Sequence, residues 1–193
     1  MEMLPGNAPD AEGALELVAA SEAVTGCQVV EAIGDCAYGA GETRAEFAAS
    51  GRTLVAKVPE IDDQVYFPET AFRIALEAGT CTCPNGQTTA DLRPDQDGGG
   101  LFVFATETYA ACPVRARCTR GRGGRTVQLH PREALLQQAR ELQASPAFGD
   151  YRRRRQVVEH RIARLVQPAF GKRATSGGPR PCSRCVWLRP SPT

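Results

Sequence analysis

Residues 27–59, CQVVEAIGDCAYGAGETRAEFAASGRTLVAKVP, contain the pattern that decides the fold. The opening CQVVEAI is a mostly apolar segment typical of a buried strand, and Gly34 ends it. GETRAEFAASG follows as a short helix with Gly51 as its stop, and TLVAKVP predicts a second strand. The inward-facing residues are predicted to be Phe47, Ala48, Leu54, Val55 and Val58. A strand, a helix and a strand within about 30 residues indicate a right-handed crossover, and therefore a parallel pair of strands.

Helical patterns lie on both sides of this unit. DAEGALELVAASEA (10–23) predicts an amphipathic helix with Asp10 as its cap. PREALLQQARELQAS (131–145) predicts another, and a further helix is expected over about residues 147–166. The first helix would bury one face formed by Leu15, Val18 and Ala19, and the last helix one formed by Tyr151, Val158, Ile162 and Leu165. The chain is therefore expected to be a mixed α/β protein.

Residues 60–130 have a different character. They are rich in turn-forming sequences such as DQDGGG and RGRGG, with isolated short strands in LFVFA and RTVQLH. This segment also contains four of the 8 cysteines, Cys81, Cys83, Cys112 and Cys118. We interpret it as an insertion into the α/β unit.

Charge is segregated along the chain although the net charge is only +1. The basic stretches contain Arg115, Arg117, Arg120, Arg122, Arg125 and Arg132, with no acid between them, and the unbroken run Arg152 to Arg155. Such asymmetry favours a polyanionic partner such as DNA, although a solvated surface is the alternative explanation for any one basic run.

Neither a secretory signal nor a membrane span is visible in the sequence. The start, MEMLPGNAPDAEG, lacks a basic region and an apolar run. No stretch approaches the roughly 18 apolar residues that a transmembrane helix needs. A cytoplasmic location is the resulting expectation, with no membrane partner. In a reducing compartment the cysteines are better explained as metal ligands or buried thiols than as disulfides.

Asp35 and Glu159 are the candidate catalytic carboxylates. Asp35 would stand at the carboxyl end of a buried strand, where ligands meet open α/β sheets. Glu159 would stand beside the apolar stripe of the last helix, between core and solvent. Two such groups brought together could bridge divalent cations for phosphoryl transfer. The alternative is that Asp35 is a cap and Glu159 a solvated side chain.

Several motifs in the correct order resemble DDE transposases of bacterial insertion sequences. GDCAYGAGETR followed by LVAKVP resembles the segment of the family's second aspartate, and YRRRRQVVEHRIARL resembles its glutamate helix. CPNGQTT, ACPVRARC and LHPREALLQQAR resemble a branch with a cysteine-containing insertion. The resemblance extends over roughly residues 5–172 and suggests that the chain is the C-terminal part of such an enzyme.

The resemblance implies a partial ribonuclease H-like fold with a cysteine-bearing, turn-rich β insertion and C-terminal helices. Residues 1–59 would be the first part of the catalytic domain, 60–130 the insertion, 131–172 the helices with the glutamate, and 173–193 a disordered tail. Asp35 and Glu159 would bind Mg²⁺, which activates the attacking group and stabilises the leaving oxygen at phosphorus. The residues expected to contact DNA, the insertion-sequence ends, are Tyr151, Arg154, Arg155, Arg115 and Arg117.

Two features depart from the family pattern. The family's first aspartate belongs to a strand upstream of any residue of this sequence, so the expected strand is missing and a sheet edge is exposed. After Lys172 the sequence ATSGGPRPCSRCVWLRPSPT differs from the family ending and suggests a change of reading frame. We therefore predict a truncated transposase that is inactive alone.

The insertion cysteines are candidate zinc ligands. Cys81, Cys83, Cys112 and Cys118 would come from two loops, a ligand number that suits tetrahedral Zn²⁺. Their spacing is irregular, and the alternative is a set of small buried thiols. Cys182 and Cys185 form half of a zinc motif that we interpret as accidental.

Three functional hypotheses follow from the sequence. The first is a transposase fragment for DNA transposition by metal-dependent phosphoryl transfer. The second is a non-catalytic DNA-binding zinc module, and the third is an unstable product with no role. A homodimer is an assembly that the sequence leaves open.

Overall fold

The computed structural model describes residues 9, 11–59, 65–121, 123–170 and 187–190. It divides into two compact units. Residues 1–59 and 135–193 contribute to the first unit, and residues 60–134 form the second, which we call the insertion unit. The described part is mixed α/β, as the sequence predicts, with helices and three small sheets. None of its helices has the length and apolar character needed to cross a bilayer.

The central sheet of the first unit contains the predicted parallel pair. β1 (Val29–Ile33) and β2 (Thr53–Val55) run parallel, with Ala32 paired to Leu54. They are joined through a 3₁₀ turn at Cys36–Tyr38 and the helix α2 (Gly41–Ala49), after α1 (Ala14–Thr25). The crossover expected from residues 27–59 is therefore confirmed.

A third strand covers the other edge of β1. Residues Trp187–Pro190, which are strand β9, pair antiparallel with β1, and the sheet order is β2-β1-β9. The expectation of a disordered tail over 173–193 is therefore wrong for these residues, and the expected exposed edge is occupied. The physical reason is that the β1 edge offers unpaired backbone groups, and the backbone of this short segment satisfies them. Residues 171–186 and 191–193, including Cys182 and Cys185, lie outside the described residues.

The core of the first unit lies between this sheet and the helices α1 and α2. Val18, Ala32 and Phe47 are completely buried in it. Two predicted inward residues, Ala19 and Ala48, are exposed instead. Both residues lie beside the buried face of a short helix, and that face is narrower than the run of apolar residues in the sequence suggests. α1 begins after Gly13, and the predicted cap Asp10 lies outside the described residues.

The two C-terminal helices of the first unit are α4 (Glu133–Ala144) and α5 (Phe148–Phe170). Leu136 and Ala139 of α4 pack against Val58, just after β2. On α5 the predicted apolar stripe is only partly buried, because Val158 is covered whereas Ile162 is 37% exposed. The side chain of Leu165 lies outside the described residues.

The insertion unit contains two antiparallel three-stranded sheets. Aromatic residues and thiols share one core, which contains Phe72, Phe102, Phe104, Tyr109 and Val127 with Cys81, Cys83 and Cys118. Gly124 is required there, because a Cβ at this position would lie 1.7 Å from the Phe104 carbonyl oxygen. The first sheet consists of β3 (Arg73–Ala75), β4 (Thr80–Thr82) and β5 (Thr88–Thr89). The second consists of β6 (Leu92–Pro94), β7 (Gly100–Val103) and β8 (Thr126–Leu129), with the helix α3 (Thr106–Ala110) after β7.

Candidate functional site

A cleft opens in the first unit at the carboxyl ends of β1 and β2. Its volume is about 480 Å³, and its far wall is one face of α5. This is the edge at which parallel strands bring ligands to open α/β sheets. The residues that line it are Ile33, Gly34, Val55, Lys57, Gln143, Phe148, Tyr151, Arg152, Arg155, Gln156 and Glu159. The cleft therefore joins the ends of two strands to the helix that carries the predicted glutamate.

Asp35 directly follows Gly34, which lines this cleft, but Asp35 is not itself one of the lining residues. Its Oδ1 accepts a hydrogen bond of 2.9 Å from the Ala37 backbone N–H and so caps the 3₁₀ turn at Cys36–Tyr38. The side chain of Asp35 therefore caps this turn, which is the alternative role that the sequence analysis raises for Asp35. The hydrogen bond to Oδ1 fixes the orientation of the carboxylate. The capping side chain stays next to the end of β1.

The loop after Asp35 is held tightly against the exit of β2. A Cβ on Gly39 would lie 2.0 Å from the Lys57 carbonyl oxygen, so only glycine allows this approach. Arg44 of α2 ties the same two segments together: its Nε donates to the Gly39 carbonyl at 3.1 Å and its Nη2 to the Ala56 carbonyl at 2.6 Å. The position of Asp35 relative to β2 is therefore fixed by backbone contacts.

Arg44 is a structural residue that the sequence analysis missed. It is only 7% exposed, and its Nη1 also donates to the Leu54 carbonyl at 3.3 Å. Burial lowers the pKa of Arg44, and the positive charge of Arg140 lowers it further. The available signal was its spacing, since Arg44 precedes Phe47 by one helical turn and so shares its buried face.

Glu159 lines the cleft from α5 and is partly exposed. Its carboxylate forms an ion pair with Arg155, one turn earlier on the same helix. A pair of this spacing is weak in water and can exchange for other partners. Glu159 and Arg155, both predicted site residues, are therefore brought together with the strand ends, whereas Asp35 adjoins the cleft through Gly34.

Tyr151 and Arg154 are tied to the sheet by a residue that the sequence did not single out. Glu31 of β1 accepts a hydrogen bond from the Tyr151 hydroxyl at 3.0 Å and from Arg154 Nη1 at 3.1 Å. The Arg154 guanidinium also lies 5.5 Å from the centre of the Tyr151 ring. Of these two predicted DNA-contacting residues, Tyr151 lines the cleft and Arg154 does not.

The cleft is predominantly basic. Lys57, Arg152 and Arg155 are lining residues with positive charge, against the single carboxylate of Glu159. Lys57 was missed from the sequence, although it follows β2 closely, as Asp35 follows β1. Such a lining favours a polyanion such as a phosphodiester backbone.

The donor type in this region suits Mg²⁺, which prefers carboxylate oxygens. Throughout the described ranges, however, no group of three or more His, Cys, Asp or Glu side chains is arranged to hold a metal ion. Asp35 and Glu159 alone therefore do not complete a magnesium site.

The predicted zinc ligands lie in and beside the core of the insertion unit. Cys81, Cys83 and Cys118 are buried, and Cys112 is half-buried. Burial raises the pKa of the Cys81 thiol to about 11, and the neighbouring Cys83 adds to the effect. Burial also raises the pKa of Cys118, with further contributions from Cys112 and Cys83. Burial in this apolar core therefore favours the protonated forms of Cys81 and Cys118.

Arg115 and Arg117, the remaining predicted DNA-contacting residues, belong to a 3₁₀ turn of the insertion unit. Arg117 lies over the ring of Phe67, and Arg115 donates to the Gly121 carbonyl at 3.4 Å. They are in a different unit from the cleft.

One comparison with known proteins gives a match. The family described as the transposase DDE domain matches residues 82–183, which is more than half of the 193 residues. The matched range includes most of the insertion unit and the helices α4 and α5. No curated protein and no solved structure matches the chain significantly.

Proposed function

This chain belongs to the transposase DDE domain family, and from that membership we propose that it acts in DNA transposition by metal-dependent phosphoryl transfer. The observation that carries the proposal is the basic cleft at the carboxyl ends of β1 and β2, into which α5 presents Glu159. DNA is the substrate of the family, and the ends of an insertion sequence are the proposed partner. We further propose that β1, β2 and α5 belong to a ribonuclease H-like fold.

Asp35 and Glu159 are the proposed metal-binding carboxylates. Their support is their placement at one strand end and on the facing helix, as the family requires of its second aspartate and its glutamate. The family uses a divalent metal such as Mg²⁺, which when bound stabilises negative charge on phosphoryl oxygens. Because the described residues supply two carboxylates and no further group, we propose that this chain binds DNA without cleaving it.

Lys57 and Arg152 are the cleft residues proposed to contact the DNA backbone. Arg155 would give up its ion pair with Glu159 and bind a phosphate instead. Tyr151 and Arg154 would act from the positions that Glu31 gives them, one side chain at the cleft and the other beside it. These roles follow from the described contacts: Lys57 and Arg152 line the cleft, whereas Tyr151 and Arg154 are hydrogen-bonded to Glu31.

The proposal is tested by fluorescence anisotropy with a labelled duplex over a range of salt concentrations. The double substitution Lys57→Gln with Arg152→Gln should weaken binding roughly tenfold at moderate salt. It should also lower the log–log salt slope by about two, because each phosphate that a cation neutralises contributes about 0.9 to that slope. A charge-matched control is Arg73→Gln with Arg93→Gln, exposed positions of the insertion unit. Equal losses of affinity in both proteins would refute the cleft as a DNA site.

The metal assignment has its own test, which does not depend on cleavage. Mn²⁺ binding in the presence of DNA, followed by electron paramagnetic resonance, should be weak and should decrease in Asp35→Asn and in Glu159→Gln. Glu107→Gln, an acidic residue of the insertion unit, is the control. Unchanged binding in the first two variants would exclude these carboxylates as ligands, and Mg²⁺-dependent cleavage by the chain would contradict the proposed inactivity.

A zinc-bound insertion that contacts DNA without chemistry is the second candidate function. The observation in its favour is that Cys81, Cys83 and Cys118 share the core of the insertion unit, although the described side chains contain no group of three or more ligands arranged to hold a metal ion. Elemental analysis of protein purified without chelators should then show stoichiometric zinc that is lost in Cys83→Ala. A zinc-free protein that is folded and binds DNA equally well would rule this function out.

A further inference from the structure

Three arginines of the insertion unit lie over aromatic rings. The guanidinium carbon of Arg117 is 4.3 Å from the centre of the Phe67 ring, that of Arg120 is 5.4 Å from Tyr66, and that of Arg125 is 5.6 Å from Phe72. A guanidinium at such a distance is attracted to the ring and still has N–H groups available to other acceptors. The rings therefore orient these cations and leave donors available.

The backbone fixes the two segments that meet in this arrangement. The Phe67 N–H donates to the Arg117 carbonyl at 2.7 Å, so the aromatic segment is paired with the arginine turn. Arg125 Nη1 donates to the Cys118 carbonyl at 3.2 Å, and Arg115 Nη2 to the Gly121 carbonyl at 3.4 Å. The arginines are thus held in place by contacts with neutral groups.

A pocket of about 290 Å³ lies within this surface. It is lined by Tyr66, Cys118, Thr119, Arg120, Gly121 and Arg125. The Arg125 Nε is buried and has no hydrogen-bond partner among the described residues. A hydroxyl from Thr119 and two guanidinium groups beside an open pocket are a donor set suited to a phosphate.

Within the described residues, the positive charge of this surface has no acidic side chain paired with it. Among the side chains that the structure describes, none of the carboxylates forms an ion pair with Arg115, Arg117, Arg120 or Arg125. Arg117 and Arg120 are exposed. A cluster of cations with no described acidic partner, two of them exposed, favours a polyanion over a solvated surface.

We propose that Arg115, Arg117, Arg120 and Arg125, which we call the arginine face, form a second DNA-binding surface that grips backbone phosphates. The sequence singled out Arg115 and Arg117, and the structure adds Arg120, Arg125 and the pocket with Tyr66 and Thr119. Binding there requires neither Asp35 nor Glu159, so the inference goes beyond the proposed reaction. Guanidinium groups that bind phosphate oxygens position a duplex without reading its sequence.

The test uses the full chain and a labelled duplex of arbitrary sequence. Arg117→Gln with Arg120→Gln should weaken binding roughly tenfold and lower the salt slope by about two, since each arginine contacts one phosphate. The charge-matched control, Arg73→Gln with Arg93→Gln, should change affinity less than about twofold. Equal losses of affinity in the two proteins would overturn the proposal. Both substituted arginines are exposed, so folding should be retained, as cooperative thermal unfolding verifies.

Two further experiments test whether the arginine geometry matters as well as the charge, and whether the arginine face is a separate site from the cleft. Arg117→Lys keeps the charge but removes the planar guanidinium that lies over Phe67, so affinity should fall severalfold while the salt slope is unchanged. In the Lys57→Gln, Arg152→Gln background the arginine-face substitutions should reduce affinity by the same factor as in the wild-type chain. Disappearance of that reduction would show that the two surfaces are one site, and competition by polyglutamate as effective as by duplex would indicate an acidic protein partner. Either result would reject the proposal.

Discussion

Arg44 is a charged side chain in the core whose described hydrogen-bond partners are backbone carbonyls. It satisfies the Gly39, Leu54 and Ala56 carbonyls at the point where the Asp35 loop meets the end of β2. Replacement by methionine keeps much of the side-chain volume but leaves these buried acceptors without donors. Unmade hydrogen bonds of this kind are costly, so Arg44→Met should destabilise the protein by about 2–4 kcal/mol.

Urea unfolding followed by circular dichroism measures this effect. Arg161→Met, an exposed substitution on α5, removes the same charge without touching the core and should change stability by less than about 0.5 kcal/mol. If both variants unfolded at the same urea concentration, the three carbonyl hydrogen bonds would contribute no stability.

At the residue scale, some site residues could be predicted from the sequence and others could not. Asp35 and Glu159 were selected because ordered family motifs surround them, since an aspartate after a strand and a glutamate on a helix are common. Glu31 was missed because its value depends on Tyr151 and Arg154, which are distant in sequence and reach it only through the packing of α5 on β1. Tertiary partners of this kind leave no local pattern.

The loop between β1 and α2 is the element that brings Asp35 to the cleft. Its closest approach is at Gly39, where an added Cβ would meet the Lys57 carbonyl oxygen at 2.0 Å. The neighbour is backbone and cannot rotate away, so Gly39→Ala should force the loop off β2 and destabilise the first unit by about 2 kcal/mol or more. DNA affinity should fall as well, because Lys57 lines the cleft.

Gly149 supplies a matched control in the same unit. It lies in the first turn of α5, and a Cβ there would meet no atom within 4 Å. Gly149→Ala should therefore stabilise the protein by about 0.5–1 kcal/mol through helix propensity and a less flexible unfolded chain. A Gly39→Ala protein as stable as wild type would show that the loop can relax without cost.

At the scale of helices and strands, the sequence predicts the elements that are determined by local periodicity. The parallel pair β1 and β2, the intervening α2 and the long α5 follow from apolar spacing and glycine stops. β9 could not be predicted, because Trp187–Pro190 becomes a strand only by pairing with the open edge of β1. Non-local pairing selects such a strand, and its few residues have no periodicity of their own.

The whole molecule consists of two units that differ in their thiol chemistry. In the first unit the described cysteines Cys27 and Cys36 are exposed, whereas in the insertion unit Cys81, Cys83 and Cys118 are buried among aromatic rings. A buried thiol resists ionisation because its thiolate is poorly solvated, and burial also shields it from reagents. The two units should therefore respond differently to alkaline pH and to alkylating reagents.

Burial raises the pKa of Cys81 from an ordinary value of 9.0 to about 11 in the folded chain. Below pH 9 the thiol is protonated in both states and its contribution to stability is complete. As the pH rises from 9 toward 11, the unfolded chain releases the proton first, so stability decreases through that window. Cys118 and Tyr109, whose pKa values are also raised by burial, shift the balance in the same direction.

The expected result is a lower urea midpoint for the insertion unit at about pH 10.5 than at about pH 8, with a decrease on the order of 2 kcal/mol from Cys81. Site-resolved alkylation read by mass spectrometry distinguishes the units, since Cys27 and Cys36 should react in the native protein and Cys81 only after unfolding. Cys81→Ala should flatten the pH dependence, and Cys27→Ala should leave it unchanged. Rapid native alkylation of Cys81 at neutral pH would mean that the insertion core is open to solvent, and a zinc-bound thiolate would instead leave the site protected and its stability sensitive to chelators.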